Sequence, residues 1–310
     1  MLFIEVAQEW WIGNKIMLRE ISCNKKEMTI EKHILPWFGK MEIENVSDVD
    51  VNEFTIYELE HGNRLTGEGL CKNSVIKEVA IVKCILEYAF LKNYITFNPA
   101  VLVQTMKREP VKEFSIYSFD EVQKLIKAAR PKWLGDLILL AYNTGLRKCE
   151  CYGLQWNDMN FANKKLTIFR SVTASKPHEC LISEPKTKKS KRLLLLDDET
   201  IDMLARRCRN RTSDTWVFAD QNGQLISPWY NVKYFRKACE SADIPIRRFY
   251  DLRHTHITEL VIEGISLPII QEIAGHSSID MTMHYTHLTV DSQQRAVDVV
   301  NKKYSRGKKS

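Results

Sequence analysis

Apolar residues in the first hundred positions recur at helical spacing. Phe3, Val6, Ala7, Trp10 and Trp11 fall on one side of a helix, and Met28, Ile30, His33 and Ile34 mark a second, which Pro36 and Gly39 are expected to break. A third helix is predicted after the turn at 46–50, carrying Val51, Phe54, Ile56, Tyr57 and Leu59. Beyond the string HGNRLTGEG the longest periodic segment covers 72–93, with Val75, Ile76, Val79, Ile81, Val82, Ile85, Leu86, Ala89 and Phe90 apolar. It stops where Asn98 and Pro99 cannot continue a helix. A small helical bundle follows from this pattern.

The string QTMKREPVKEFSIYSFDE then loses periodicity and reads as a linker, which places a domain boundary near residue 110. Ser118 with Glu121 three residues later forms a capping pattern that opens a helix over 119–129, and another is predicted over 134–142 with Gly145 as its C-terminal cap. Three short strands are predicted at 165–169, 179–183 and 192–196, with the lysine-rich string PKTKKSK in the turn between the last two. From Asp198 onward the pattern is helical again, and the basic tail at 302–309 is expected to fray. The expected architecture is mainly α with a small antiparallel β-sheet (α+β), divided into domains 1–110 and 111–310.

With 310 residues, 44% hydrophobic and 27% charged, the chain is long enough for two cores and is neither fibrous nor disordered in composition. No apolar run approaches the roughly 20 residues that span a bilayer, and the first segment is acidic and amphipathic, so a cytoplasmic protein without a membrane partner is expected. The eight cysteines are scattered without zinc-site spacing and read as reduced thiols. The net charge of +6 is unevenly spread. Residues 1–110 hold 13 Lys and Arg against 16 Asp and Glu, and the remainder holds 32 against 23. A basic second part suits a polyanionic partner, because neutralising phosphates releases counterions.

Five strings in that second part carry chemistry: TGLRKCE with Arg147, PKTKKSKR with Lys186, YDLRHTH with Arg253, AGHSS with His276 and TMHYTHL with Tyr285. Four of these residues can donate protons to phosphate oxygens and the fifth can attack phosphorus. Two arginine forks aimed at one phosphate would neutralise the charge of a phosphoryl-transfer transition state. His276 lies 23 positions after Arg253, and Tyr285 nine beyond that. In content and order these strings resemble the tyrosine recombinases, the phage integrase family of DNA strand-exchange enzymes.

The resemblance implies a SAM-like helical core-binding domain followed by a catalytic domain, together clasping the duplex. It implies that Tyr285 attacks the scissile phosphate to give a 3'-phosphotyrosyl link and a free 5'-hydroxyl, without ATP, metal or cofactor. Arg147 and Arg253 would clamp the phosphate, His276 would donate a further hydrogen bond, Lys186 would protonate the leaving oxygen, and Glu150 would orient Arg147. It further implies double-stranded attachment sites, a homotetramer on DNA, and an excisionase or DNA-bending host factor, in a bacterial cytoplasm. The segment AVDVVNKKY would pass to a neighbouring subunit. The strings FIEVAQEWW and NPA look like integrases of mobile elements, which often carry an additional arm-binding domain in front; with no room for it here, either a simpler enzyme or a chain that begins internally is expected.

Bland readings stand beside these. Lys188, Lys189 and Lys191 share a turn with Lys186 and form a solvated charge run, and Arg147 could simply pair with Glu150 or Asp158. The pairs His254 with His256 and His284 with His287 suggest a metal, but no acidic cluster accompanies them; His254 reads as a helix residue packed near the site, and His287 as support for the tyrosine segment. One position departs from the family. A histidine usually stands three residues before the second arginine, and here it is Tyr250, a poorer base at a pKa of about 10 than imidazole at about 6.5. That substitution motivates an alternative, a catalytically weakened integrase-like DNA-binding protein; a relaxase acting without partner exchange is a third.

Overall fold

The computed structural model describes residues 1–18, 20–109, 115–177, 179–183, 191–208 and 215–286. It divides into two compact units, Met1–Lys112 and Glu113–Ser310. The first is built from α1 (Phe3–Lys15), α2 (Glu20–Thr29), α3 (Leu35–Phe38), α4 (Asp48–His61) and α5 (Lys72–Leu91). Its core gathers the periodic positions of α1, α4 and α5, including Phe3, Val6, Val51, Phe54, Val75, Val82 and Ile85. Ser47 caps α4 through a capping box with Asp50, so this helix starts inside the segment expected to be a turn.

Pro36 does not break the second helix. A π-helical turn at Ile30–Ile34 joins α2 to α3, and the proline is taken up within the first turn of α3. Lys83 donates its ammonium to the Val103 carbonyl at 2.7 Å.

The second unit contains α6 (Phe119–Ala128), α7 (Lys132–Thr144), α8 (Lys148–Tyr152), strands β1 (Met159–Asn160), β2 (Lys165–Ile168), β3 (Ser171–Lys176), β4 (Glu179–Ser183) and β5 (Arg192–Leu195), then α9 (Asp198–Arg207), α10 (Asn231–Ser241), α11 (Asp251–Ile262), α12 (Leu267–Ala274) and α13 (Asp280–Met283). The capping box at Ser118 and Glu121 is present. Helix α7 is apolar nearly all round and is the buried centre on which α6 and α11 pack.

The strands form two antiparallel sheets instead of one: β1-β2-β5, and a β3-β4 hairpin whose register shifts between Ala174 and Lys176. Strand β3 was not expected, because SVTASK offers only Val172 as an aliphatic core residue and its order comes from pairing with β4. The strands flanking the lysine-rich string, β4 and β5, belong to different sheets and do not pair with each other, and the turn expected at 185–190 lies outside the described residues. Among the described residues no helix is long and apolar enough to cross a membrane. All eight cysteines are free.

Candidate active site

Helix α7 ends at Gly145, whose φ of 63° is the left-handed conformation favoured by glycine, and a Cβ there would lie 2.6 Å from the His256 ring. The turn sets Arg147 at the N-cap of α8, with Glu150 at N3. The Arg147 backbone N–H donates to Glu150 Oε2 at 2.8 Å and its Nη1 to Oε1 at 2.8 Å. The same carboxylate accepts Nη1 and Nη2 of Arg192, from the start of β5, at 3.0 and 2.9 Å. One buried carboxylate therefore holds two guanidinium groups.

The arginines are also tied to helix ends, where unsatisfied carbonyls favour cations. Arg253, only 1% exposed on α11, donates from Nη1 to the Gly145 carbonyl at 2.6 Å and from Nη2 to the Ala274 carbonyl at 2.7 Å. Arg147 Nη2 donates to the Gly275 carbonyl at 2.8 Å, and Arg192 Nε to that of Ile273 at 2.7 Å. Gly275 is the left-handed cap of α12, at φ 63°, and a Cβ there would sit 2.8 Å from Arg192 Nη1. Thus two glycine-capped helix ends and three arginines interlock. Arg253 Nε is buried and has no hydrogen-bond partner among the described residues.

Three guanidinium groups against one carboxylate leave a positive field. Burial works to raise the Glu150 carboxyl, yet hydrogen bonds and charge from Arg192, then Arg147, hold it down at about 2. Burial and then the Arg147 charge pull Arg253 below the usual guanidinium range. An anion entering here would relieve that repulsion.

Tyr285 follows α13, and its ring packs with Ile257, Ile270 and Ala274 in a small apolar cluster. Burial pushes its phenol up to about 12, against the opposing charge of Arg253. Its hydroxyl lies 2.8 Å from His254 Nδ1. The His276 ring stacks on Tyr285 at 6.1 Å between centroids and 16° between planes, while Tyr250 meets His254 edge-on at 4.9 Å. His276 Nδ1 lies 2.9 Å from Thr282 Oγ1.

Burial, followed by Arg253 and Arg147, holds His276 down at about 3, so its ring is neutral at pH 7. If the Thr282 hydroxyl donates to Nδ1, the proton stays on Nε2, which then serves as a donor. Thr282→Val keeps the shape and removes that donor. Any phosphodiester cleavage supported by this site should fall about 10-fold with little change in melting temperature; an unchanged rate would show that Thr282 does not set the tautomer.

Burial likewise holds His254 and His256 down at about 4 each. All three histidines are neutral in the fold but gain a proton near pH 6.5 when unfolded. Their contribution to stability is therefore intact above about pH 6.5 and is lost as pH falls toward 4 and then 3. The melting temperature should drop by several degrees between pH 7 and pH 5; a flat profile across that window would contradict neutral burial.

Arg147, Glu150, Arg253, His276 and Tyr285 come together within this region, and Tyr250, 38% exposed, borders it through His254. Lys186, His287 and the AVDVVNKKY segment lie outside the described residues. Sequence reasoning missed Arg192 and Thr282, and did not foresee the bond from His254 to Tyr285. A single signal was available for Arg192: an arginine opening the apolar run RLLLL, at the end of the basic string. Among the described residues, the group with the spacing to hold a metal is His33, Glu58 and Glu78 in the first unit. There Glu58 already accepts from Arg64 at 2.7 Å and lies 2.8 Å from His33 Nδ1.

The model of the phage integrase family matches residues 116–292, and that of the phage integrase N-terminal SAM-like domain matches residues 2–56. A tyrosine recombinase XerC-like protein of Caldanaerobacter subterraneus subsp. tengcongensis is 28% identical over 268 residues, covering 77% of this chain and 68% of the relative. The ICEBs1 integrase of Bacillus subtilis is 25% identical over 287 residues, covering 87% and 74%. Among solved structures, the Tn1549 transposon integrase in complex with a circular intermediate DNA superposes with a TM-score of 0.75 at 21% identity, over 97% of this chain and 99% of that one. That likeness carries the fold.

Proposed function

The chain belongs to the phage integrase family, the tyrosine site-specific DNA recombinases, and on that premise we propose that it cuts and rejoins DNA through Tyr285 to integrate or excise a mobile element. Tyr285 attacks the scissile phosphate, forming a 3'-phosphotyrosyl bond as the P–O bond to the 5' oxygen breaks. The link conserves the bond energy, so a second 5'-hydroxyl reverses the step without ATP. Arg147 and Arg253 take the non-bridging oxygens, His276 donates from Nε2, and Lys186 supplies the proton to the leaving oxygen. Glu150 keeps Arg147 in place.

One observation carries the reading: the Tyr285 hydroxyl is buried against a neutral imidazole within the field of Arg253 and Arg147. Helix-end carbonyls already orient those arginines before a phosphate arrives. The similarity to the ICEBs1 and Tn1549 integrases supports a mobile element's DNA as substrate. A homotetramer on that DNA, with an excisionase or DNA-bending host factor to set direction, completes the proposal. The two units, 1–110 and 111–310 in the sequence reading, would be the core-binding and catalytic domains.

Nicked suicide duplexes tiled across the DNA flanking the coding sequence test this. A detergent-resistant protein–DNA adduct is expected, with the DNA mapped by proteolysis to the peptide containing Tyr285. Duplexes that bind without forming any adduct would overturn strand transfer. They would favour the weakened, DNA-binding alternative that Tyr250 suggests.

A further inference from the structure

Neither the basic pocket nor the strings account for where the phenol proton goes when Tyr285 attacks. Five side chains stand near its hydroxyl or share its field: Tyr250, His254, His276, Arg253 and Arg147. The two arginines are permanent cations with no acceptor, and a second phenol at position 250 is a weak one. His276 lies nearly parallel over the Tyr285 ring, with its Nδ1 engaged by Thr282. His254 alone of these directs a ring nitrogen at the hydroxyl, at 2.8 Å and within the distance for direct proton transfer.

We infer that His254 is a catalytic residue, the general base that takes the Tyr285 proton as the phosphotyrosyl bond forms and returns it when that bond is broken. This rests on the proposal that Tyr285 is the nucleophile. In the balanced step, the Tyr285 O–H bond breaks toward Nδ1 and the phenol oxygen bonds to phosphorus. The P–O bond to the 5' oxygen breaks, and that oxygen receives its proton from a separate acid. The imidazolium carries the tyrosine's proton until religation, when phenolate leaves and recovers it. No oxidant, metal or further reactant enters.

The surroundings fit a base that works only with substrate present. Burial holds His254 at about 4, with Asp251 opposing and Arg248 and Arg253 reinforcing. The ring is therefore neutral at pH 7, and in the tautomer protonated at Nε2 its Nδ1 accepts from the Tyr285 hydroxyl. Proton transfer in the free protein is strongly uphill, since the phenol sits near 12. A bound phosphate cancels the arginine charge acting on the imidazole, and bond formation to phosphorus acidifies the phenol, so the two protonation preferences converge in the transition state. Tyr250, packed edge-on against the imidazole, restrains its plane.

The test uses the full chain and the nicked duplex on which the wild type forms its Tyr285 adduct. His254→Asn keeps an acceptor atom near the place of Nδ1 but cannot take a proton. Cleavage is expected to fall about 100-fold or more, with DNA affinity and melting temperature near wild type. A second duplex carries sulfur in place of the bridging 5' oxygen, a leaving group that needs no proton. It should restore cleavage to Lys186→Ala but not to His254→Asn. Added imidazole should partly restore His254→Ala if that variant folds.

Cleavage by His254→Asn within a few-fold of wild type would reduce the contact to positioning and overturn the inference. Recovery of His254→Asn on the sulfur duplex would also overturn it, by assigning His254 to the leaving group. Absence of a wild-type adduct, or its survival in Tyr285→Phe, would instead sink the underlying choice of nucleophile.

Discussion

Tyr285→Phe is expected to abolish the covalent protein–DNA adduct while leaving the protein folded and able to bind the same duplex. The lost oxygen is the atom proposed to bond phosphorus. Removing a nucleophile from an otherwise intact site lowers turnover by on the order of 10⁴-fold or more. The ring stays anchored by Ile257, Ile270 and Ala274, which do not depend on the hydroxyl. The hydrogen bond to His254 disappears, worth about 1 kcal/mol net. Adduct yield on denaturing gels, beside a mobility-shift titration and a thermal melt, reads all three quantities. An undiminished adduct would exclude Tyr285 as nucleophile, and collapse of the melt would show that the hydroxyl is structural.

Glu150→Ala should be the most damaging change that leaves every phosphate-facing group present. The carboxylate is the shared acceptor of Arg147 and Arg192. Without it, two guanidinium groups and the adjoining buried Arg253 repel one another with no counter-charge. Breaking a buried pair by removing one partner costs about 3–5 kcal/mol. An independent route gives a similar size: a carboxyl held near 2 instead of 4.5 corresponds to about 3 kcal/mol of linkage. That contribution is present above pH 4.5 and is lost as pH falls toward 2.

Cleavage should decline about 100-fold or more as Arg147 loses its orientation. Glu150→Gln, which keeps the shape and one acceptor oxygen, should recover part of the stability and little of the rate. Chemical denaturation with single-turnover cleavage separates these effects. A Glu150→Ala protein with wild-type stability would mean that the arginines find other partners.

The helices of the first unit were readable because each is written in its own residues. Phe3, Val6, Ala7 and Trp10 are the buried face of α1, as their spacing requires. The capping pair at Ser118 and Glu121, and Gly145 as a left-handed cap, were equally local signals. Pro36 misled because its position within a helix turn, not its presence, decides whether it breaks the chain. Strand β3 was invisible because its order comes from pairing with β4.

The chain alone specified the periodicity of its helices, the order of the five strings and the chemical types that could handle a phosphate. Tertiary structure alone decided which atoms meet. Arg253 reaches the Gly145 carbonyl across 108 positions, Arg192 reaches Glu150 across 42, and His254 meets Tyr285 across 31. None of these has a periodic signature, since helix and strand patterns record only which face of an element is buried. A hydrogen bond depends on where two packed elements bring their atoms within about 3 Å of each other, and packing around α7 and the glycine caps of α7 and α12 sets that placement.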